Sequence, residues 1–156
     1  MVAGERAGAN LRRAVMTDAG IIAAYNIVMA EETEGKALDP ATVLAGVEAL
    51  LADPAKGFYL VAEMEGRVVG QAMVTYEWSD WWNGSFWWVQ SVYVHPDVRR
   101  QGIFSGIFRE IERGARKLPG VVGLRLYVDA ENLRAQEAYR RLGMDESNYL
   151  MFERGF

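Results

Sequence analysis

The chain contains no cysteine and a single histidine in 156 residues. Without cysteine there is no disulfide, no thiolate metal site and no cysteine nucleophile to carry an acyl group. One imidazole, His95, excludes a multi-histidine metal centre, and no metal is expected. No apolar run approaches the roughly 20 residues that span a bilayer, so no membrane partner is expected. The first residues, Met1-Val2-Ala3-Gly4-Glu5-Arg6, lack the apolar core of a secretory signal, and a cytoplasmic location is expected. A basic excess is missing too. Lys and Arg total 17 against 21 Asp and Glu, a net charge of −4, which argues against a nucleic-acid partner.

What is present is ordinary for a soluble globular protein, with 51% apolar and 24% charged residues. The length suits one domain, expected over residues 10–156 behind a flexible, small and polar tail at 1–9. Charge is unevenly placed along it. Residues 1–95 hold 6 basic and 12 acidic side chains, and residues 96–156 hold 11 basic and 9 acidic. This is either the scatter common in surface charge or a division of labour. In the second case an anionic ligand sits on the second half and a cationic one meets the first.

Periodicity predicts the order βααβββαβαβ. Leu11 to Met16 reads as a strand. Thr17-Asp18 can cap a helix carrying Ile21, Ile22, Tyr25, Val28 and Met29, which the polar run from Glu31 to Lys36 ends. Asp39-Pro40 starts a second helix with Val43, Leu44, Val47, Leu50 and Leu51 on one stripe. A meander follows: Phe58 to Met64, a tight turn at Glu65-Gly66, Val68 to Trp78, a type I′ turn at Asn83-Gly84, and Phe86 to Val94. Ile103, Ile107, Ile111 and Ala115 then recur at helical spacing. Val121 to Val128 alternates as a strand, Asn132 to Leu142 forms a short helix closed by Gly143, and Tyr149 to Phe152 is expected as a last strand. The pattern is an α/β domain on a mixed sheet.

The chemistry is concentrated in Val92-Tyr93-Val94-His95-Pro96-Asp97-Val98-Arg99-Arg100-Gln101-Gly102-Ile103-Phe104-Ser105. A strand runs into a cation-rich loop and a helix start that glycine leaves bare. Backbone N–H groups at a helix N-terminus, with the positive end of its dipole, make an anion site, and a pyrophosphate fits there. This stretch resembles motif A of the GNAT acyltransferases, in which Arg/Gln-x-x-Gly-x-Gly/Ala opens a helix after a strand. Arg99 and Gly102 match; Phe104 stands where the family usually has Gly or Ala. Downstream, Asn132-Leu133-Arg134-Ala135, Tyr139 and Leu142-Gly143-Met144 are similar to that family's Asn-x-x-Ala-x-x-x-Tyr-x-x-x-Gly-Phe. The resemblance covers the chain from Leu11 to Phe152.

The resemblance implies the GNAT acyl-CoA N-acyltransferase fold: a mixed, mostly antiparallel sheet with flanking helices and a splayed parallel strand pair. It implies acetyl-CoA as acyl donor, with its pantetheine along Val92, Tyr93 and Val94. It implies pyrophosphate on Arg99, Arg100, Gln101, Gly102, Ile103, Phe104 and Ser105, Asn132 on the pantetheine arm, and Tyr139 as general acid to the departing thiolate. An amine acceptor, small or peptidic, needs a base or counter-charge. Glu32 and Glu34, after the first helix, rank first, with Glu77 and Asp80 on the other side. Gln90 cannot accept a proton usefully.

Each of these residues also has a plainer reading. Tyr139 fits a core position, Arg99 and Arg100 a solvated corner, Glu31 to Glu34 a helix end, and His95 a strand end. All five tryptophans, Trp78, Trp81, Trp82, Trp87 and Trp88, fall in one stretch. They suit core packing, an acceptor wall or a homodimer surface equally. Two rival functions remain beside direct N-acetyl transfer: a catalytically inactive acyl-CoA-binding sensor, and a dimerisation domain built on the tryptophans.

Overall fold

Alternating apolar residues on the central strands give the sheet two buried faces, and each face selects its own helices. In the computed structural model, which describes residues 8–156, the elements are β1 (Asn10–Arg13), α1 (Ala19–Glu34), α2 (Pro40–Ala52), β2 (Gly57–Met64) and β3 (Arg67–Ser79). They continue with β4 (Gly84–Val94), α3 (Ile103–Arg116), β5 (Val121–Arg125) and α4 (Leu133–Arg141). The chain divides into two compact units, one ending at Leu126 and one spanning Tyr127–Phe156. Of the tail expected at 1–9, residues 1–7 lie outside the described residues. Ala9 is buried in the core of the first unit.

In the first unit the sheet order is β1-β2-β3-β4-β5, antiparallel throughout except for the parallel β4–β5 pair. One face carries Leu60, Ala62, Ala72, Val74, Trp87 and Val89 against Ile103, Ile107 and Ile111 of α3. The other carries Tyr59 and Val61 against Ile22 of α1 and Val47 and Leu50 of α2. The strand period of two thus sorts neighbouring residues onto opposite helix layers. Asp39 caps α2 as expected, accepting from the Thr42 amide at 2.9 Å. Glu65 and Gly66, at φ 50° and 74°, make the tight turn.

Several boundaries differ from the periodicity. The first strand stops at Arg13, after which Met16–Asp18 form a 3₁₀ turn. Asp18 does not cap α1 with its side chain. It accepts instead from the Val15 amide (2.8 Å) and from Arg12 at both oxygens (2.8 and 3.0 Å), and Arg12 also reaches Glu63. Helix α1 runs through the polar residues to Glu34, because glutamate is a good helix former and the true stop is the left-handed Gly35. Glu32 and Glu34 therefore stand on the last turn of a helix, not in a loop. Asn83 has φ 46°, but Gly84 belongs to β4, and Asp80 to Asn83 form the connection. Glycine is needed at 84 for another reason: a Cβ there would lie 2.6 Å from the Val122 side chain and 2.9 Å from the Gly120 carbonyl.

Strand β5 ends at Arg125, short of the expected Val128, because its ladder to β4 stops there. In the second unit, Asn132 caps α4 and Gly143 follows it with φ 89°. The expected strand at Tyr149–Phe152 is not formed; all four residues are exposed and carry no ladder. Strand-like composition describes a surface that fits a sheet, and only a ladder makes it a strand.

The Arg12–Asp18 pair ties stability to pH. The guanidinium holds the Asp18 carboxyl below its ordinary range, burial opposing. A depressed carboxyl stabilises the fold above its unfolded pKa of about 3.9 and loses that contribution as pH falls through the folded value. Asp18→Asn is expected to cost about 2 kcal/mol at pH 7, from the loss of charged hydrogen bonds. Denaturant melts should show the difference from wild type shrinking below about pH 4.

Candidate functional site

The parallel ladder between β4 and β5 pairs Ser85 with Val121, Phe86 with Gly123, Trp87 with Leu124 and Trp88 with Arg125, then ends. Strand β4 continues alone on that side to Val94. Glu77 of β3 closes the last pair: one carboxylate oxygen accepts from the Trp88 indole (2.7 Å), the other from Arg125 (2.8 Å). The Arg125 guanidinium also lies over the Phe86 ring at 3.6 Å. Beyond that clamp no strand among the described residues pairs with β4 on this side, and this is the edge called open below.

A bulge governs this open stretch. Gln71 faces Tyr93 and Met73 faces Gln90, so Ser91 and Val92 together oppose Ala72. Ser91 takes φ 51°, in the left-handed region. The extra residue inverts the alternation: Trp87 and Val89 face α3 before it, and Val92 and Val94 after it. Tyr93 turns to the other layer and meets the Tyr25 ring of α1 at 4.7 Å. The His95 amide donates to the Val69 carbonyl of β3 at 2.8 Å. By the strand period, the N–H groups of Val92 and Val94 point the opposite way, toward the open edge.

The strand then leads into the loop. Pro96–Val98 form a 3₁₀ turn, and the His95 Nδ1 accepts from the Asp97 amide at 3.3 Å, which gives this imidazole a capping role. Arg99 donates from Nε to the Val94 carbonyl (2.8 Å) and from Nη2 to Glu32 (3.1 Å). Its guanidinium lies 5.5 Å from the Tyr93 ring centre. Burial raises the Tyr93 phenol, and the neighbouring Glu32 charge raises it further against the pull of Arg99. Arg99 and Glu32, expected to serve different ligands, are thus one ion pair joining the loop to α1.

Arg100 and Gly102 adopt φ 64° and 82°, and Gly102 is the N-cap of α3. No side chain among the described residues caps this helix, and the first i→i−4 bond joins the Gly106 amide to the Gly102 carbonyl. Nothing lies within 4 Å of a Cβ built on Gly102, so the approach to the first-turn amides is open there. Ile103 is buried beneath; Phe104 and Ser105 are partly covered; Arg100 and Gln101 are exposed.

The remaining candidates are spread around this frame. Glu34 is exposed and pairs with Lys36 at 3.8 Å. Asp80 sits in the exposed β3–β4 connection, beside Trp81 and Trp82, which are 83% and 65% exposed. Of the tryptophans only Trp87 is core, edge-on to Phe58 at 5.2 Å. Gln90 donates to the Thr75 hydroxyl at 2.7 Å. In the second unit, Asn132 spends its side-chain oxygen on the Ala135 amide (3.1 Å), and burial pushes the Tyr139 phenol up.

Sequence reasoning missed a buried polar group behind the bulge. Gln71 donates to Asn26 (2.8 Å) and to the Ser91 carbonyl (3.3 Å), and Asn26 donates to the Tyr59 hydroxyl (3.2 Å). The only signal available was a glutamine inside an apolar strand.

Among known proteins, residues 21–144 match the acetyltransferase (GNAT) family. A possible acetyltransferase from Clostridium difficile 630 is 47% identical, with a TM-score of 0.90 over 95% of this chain and 97% of that one. A predicted acetyltransferase from Clostridium acetobutylicum, solved with acetyl-CoA, is 16% identical with a TM-score of 0.77 over 93% of this chain and 96% of that one. The aminoglycoside N-acetyltransferase AAC(6')-Iy, in complex with CoA, is 17% identical with a TM-score of 0.75 over 94% of each chain. No curated protein sequence matches the chain.

Proposed function

We propose, from the premise that this chain belongs to the GNAT acetyltransferase family, that it moves an acetyl group from acetyl-CoA directly onto an amine in a ternary complex. The observation that carries this reading is the continuity of the open β4 edge with the uncapped, glycine-led start of α3. An extended pantetheine arm adds to such an edge as a strand would, taking hydrogen bonds from the Val92 and Val94 amides. The Val94 carbonyl already accepts from Arg99, so its N–H is the group offered to a ligand. Tyr93 contributes its place in the strand while its ring supports Arg99. The amides from Arg100 through Gln101, Gly102, Ile103, Phe104 and Ser105 then receive the pyrophosphate, with the Arg100 side chain adding charge.

Chemistry follows from what these groups favour. Strand amides aimed at the thioester oxygen stabilise charge that develops there. Tyr139, its pKa raised by burial, stays protonated at neutral pH and serves as the proton donor to the leaving thiolate. Asn132, its oxygen used in the α4 cap, has amide hydrogens to offer the pantetheine. The solved relatives named with acetyl-CoA and CoA support the donor.

The acceptor is read from α1. Glu31, Glu32 and Glu34 crowd the helix C-terminus, where the dipole is negative and the last turn of α1 holds no basic residue of its own. Acids there cost stability, and a cationic amine would relieve that cost. Glu34 supplies counter-charge or a water-linked base, and Glu32 does so on releasing Arg99; Glu77 is held by two donors and ranks lower. Glu34→Gln is expected to raise KM for a diamine about threefold, as for an exposed ion pair, with the acetyl-CoA Kd unchanged. Glu32→Gln frees Arg99 and should change both constants. The reading is tested by thiol release from acetyl-CoA over a panel of primary amines and aminoglycosides. Binding without turnover on any of them would instead support the acyl-CoA sensor.

A further inference from the structure

The structure assigns a positioning role to the buried side chains of Asn26, Gln71 and Tyr59: together they lock the Ser91 turn and so decide which β4 amides face the open edge. The inference rests on the acetyl-CoA reading above and adds three residues that act through the Ser91 backbone.

Ser91 is held left-handed at φ 51°, which a serine adopts at a cost and keeps only where its surroundings impose it. The surroundings here come from α1, β2 and β3 at once. Gln71, wholly buried, donates from Nε2 to the Ser91 carbonyl at 3.3 Å. The same nitrogen is anchored on Asn26 Oδ1 at 2.8 Å, and Asn26 in turn donates to Tyr59 at 3.2 Å. The Ser91 side chain lies near the Tyr59 hydroxyl, and it and Asn26 both oppose the burial that raises the Tyr59 pKa. The Gln71 Oε1 is buried with no hydrogen-bond partner among the described residues. A half-satisfied amide in a core is less stable than an apolar side chain of the same shape, so its presence asks for a task.

Geometry supplies that task. Strand amides alternate between the two edges, so a one-residue offset exchanges the set facing β3 with the set facing away. With the bulge, His95 N–H meets Val69 of β3, and Val92 and Val94 point to the open edge. Without it, Tyr93 would take that direction and its ring would leave Tyr25. The trio acts from behind the sheet and never needs to touch the ligand.

Amide hydrogen exchange with and without saturating acetyl-CoA tests this. In wild type, acetyl-CoA should slow exchange at Val92 and Val94 and also at Gly102 to Ser105. In Gln71→Met the protection at Val92 and Val94 should fall at least tenfold, while that at Gly102 to Ser105 stays within twofold. Tyr59→Phe, which keeps the ring and its packing, should show a smaller loss of the same pattern, and carries the test if the first variant does not fold. Gln71→Met combined with Ser91→Gly should regain protection to within threefold, because glycine takes positive φ without strain. Unchanged protection in the folded variants, or no recovery with glycine, overturns the positioning role. Protection of Gly102 to Ser105 alone in wild type overturns it too, while leaving acetyl-CoA as the ligand. No protection at either segment overturns the acetyl-CoA reading itself.

Discussion

Gly102→Val is expected to weaken acetyl-CoA binding about 100-fold by calorimetry, while leaving a folded protein. Gly102 holds φ 82°, and a β-branched residue pays roughly 1–2 kcal/mol to sit in the left-handed region. Before a ligand arrives, the variant relieves that strain by turning the peptide, which swings the first α3 amides out of line. Binding must restore them and loses part of a charge-assisted hydrogen bond, worth about 1.5–3 kcal/mol. The two effects sum to roughly 3 kcal/mol, and each 1.4 kcal/mol is tenfold in Kd. Apart from its chain neighbours, nothing among the described residues lies within 4 Å of the new Cβ, so the fold has room for it. A Kd within threefold of wild type would place the pyrophosphate elsewhere.

Tyr139→Phe should act on the other constant. General acid catalysis contributes about 10²–10⁴-fold, so kcat is expected to fall by about 100-fold or more, with the CoA Kd within twofold of wild type. Steady-state rates of thiol release, paired with calorimetry, measure the two separately. Because burial raises this phenol above its ordinary pKa of about 10, its donor form persists through neutral and mildly alkaline solution. The alkaline limb of kcat that belongs to Tyr139 should therefore lie above about pH 10, and vanish in the variant. Full activity in Tyr139→Phe removes it from the mechanism.

Much of this architecture can be read from residue spacing. Asp39-Pro40 announces α2, Glu65-Gly66 a hairpin, and Gly102 with Ile103, Ile107 and Ile111 the helix α3 at whose start the pyrophosphate is proposed. These are local signals, in which a few neighbouring residues settle the backbone. Where partners are distant in sequence, spacing is silent. Asp18 resembles a cap, yet Arg12 and the Val15 amide claim its carboxylate. Val121 to Val128 and Tyr149 to Phe152 carry strand-like side chains, but only the residues through Arg125 find a ladder.

The site divides in the same way. Val92, Val94, Arg99 and Gly102 are legible because strand, loop and helix start are consecutive. The Glu32–Arg99 pair joins residues far apart in the chain, and nothing local to either predicts it. The bulge is hidden for a subtler reason. It depends on Asn26, Tyr59 and Gln71 meeting Ser91 from other elements, and Ser91 itself is an unremarked polar residue in a strand. Trp88 and Glu77 are likewise joined across a register that only pairing defines.

The most direct measurement is a crystal structure of the acetyl-CoA complex. The pantetheine is expected within hydrogen-bonding reach of the Val92 and Val94 amides, and the pyrophosphate oxygens on the backbone N–H groups between Arg100 and Ser105. A nucleotide bound anywhere else, with the β4 edge bare past Trp88, would contradict it.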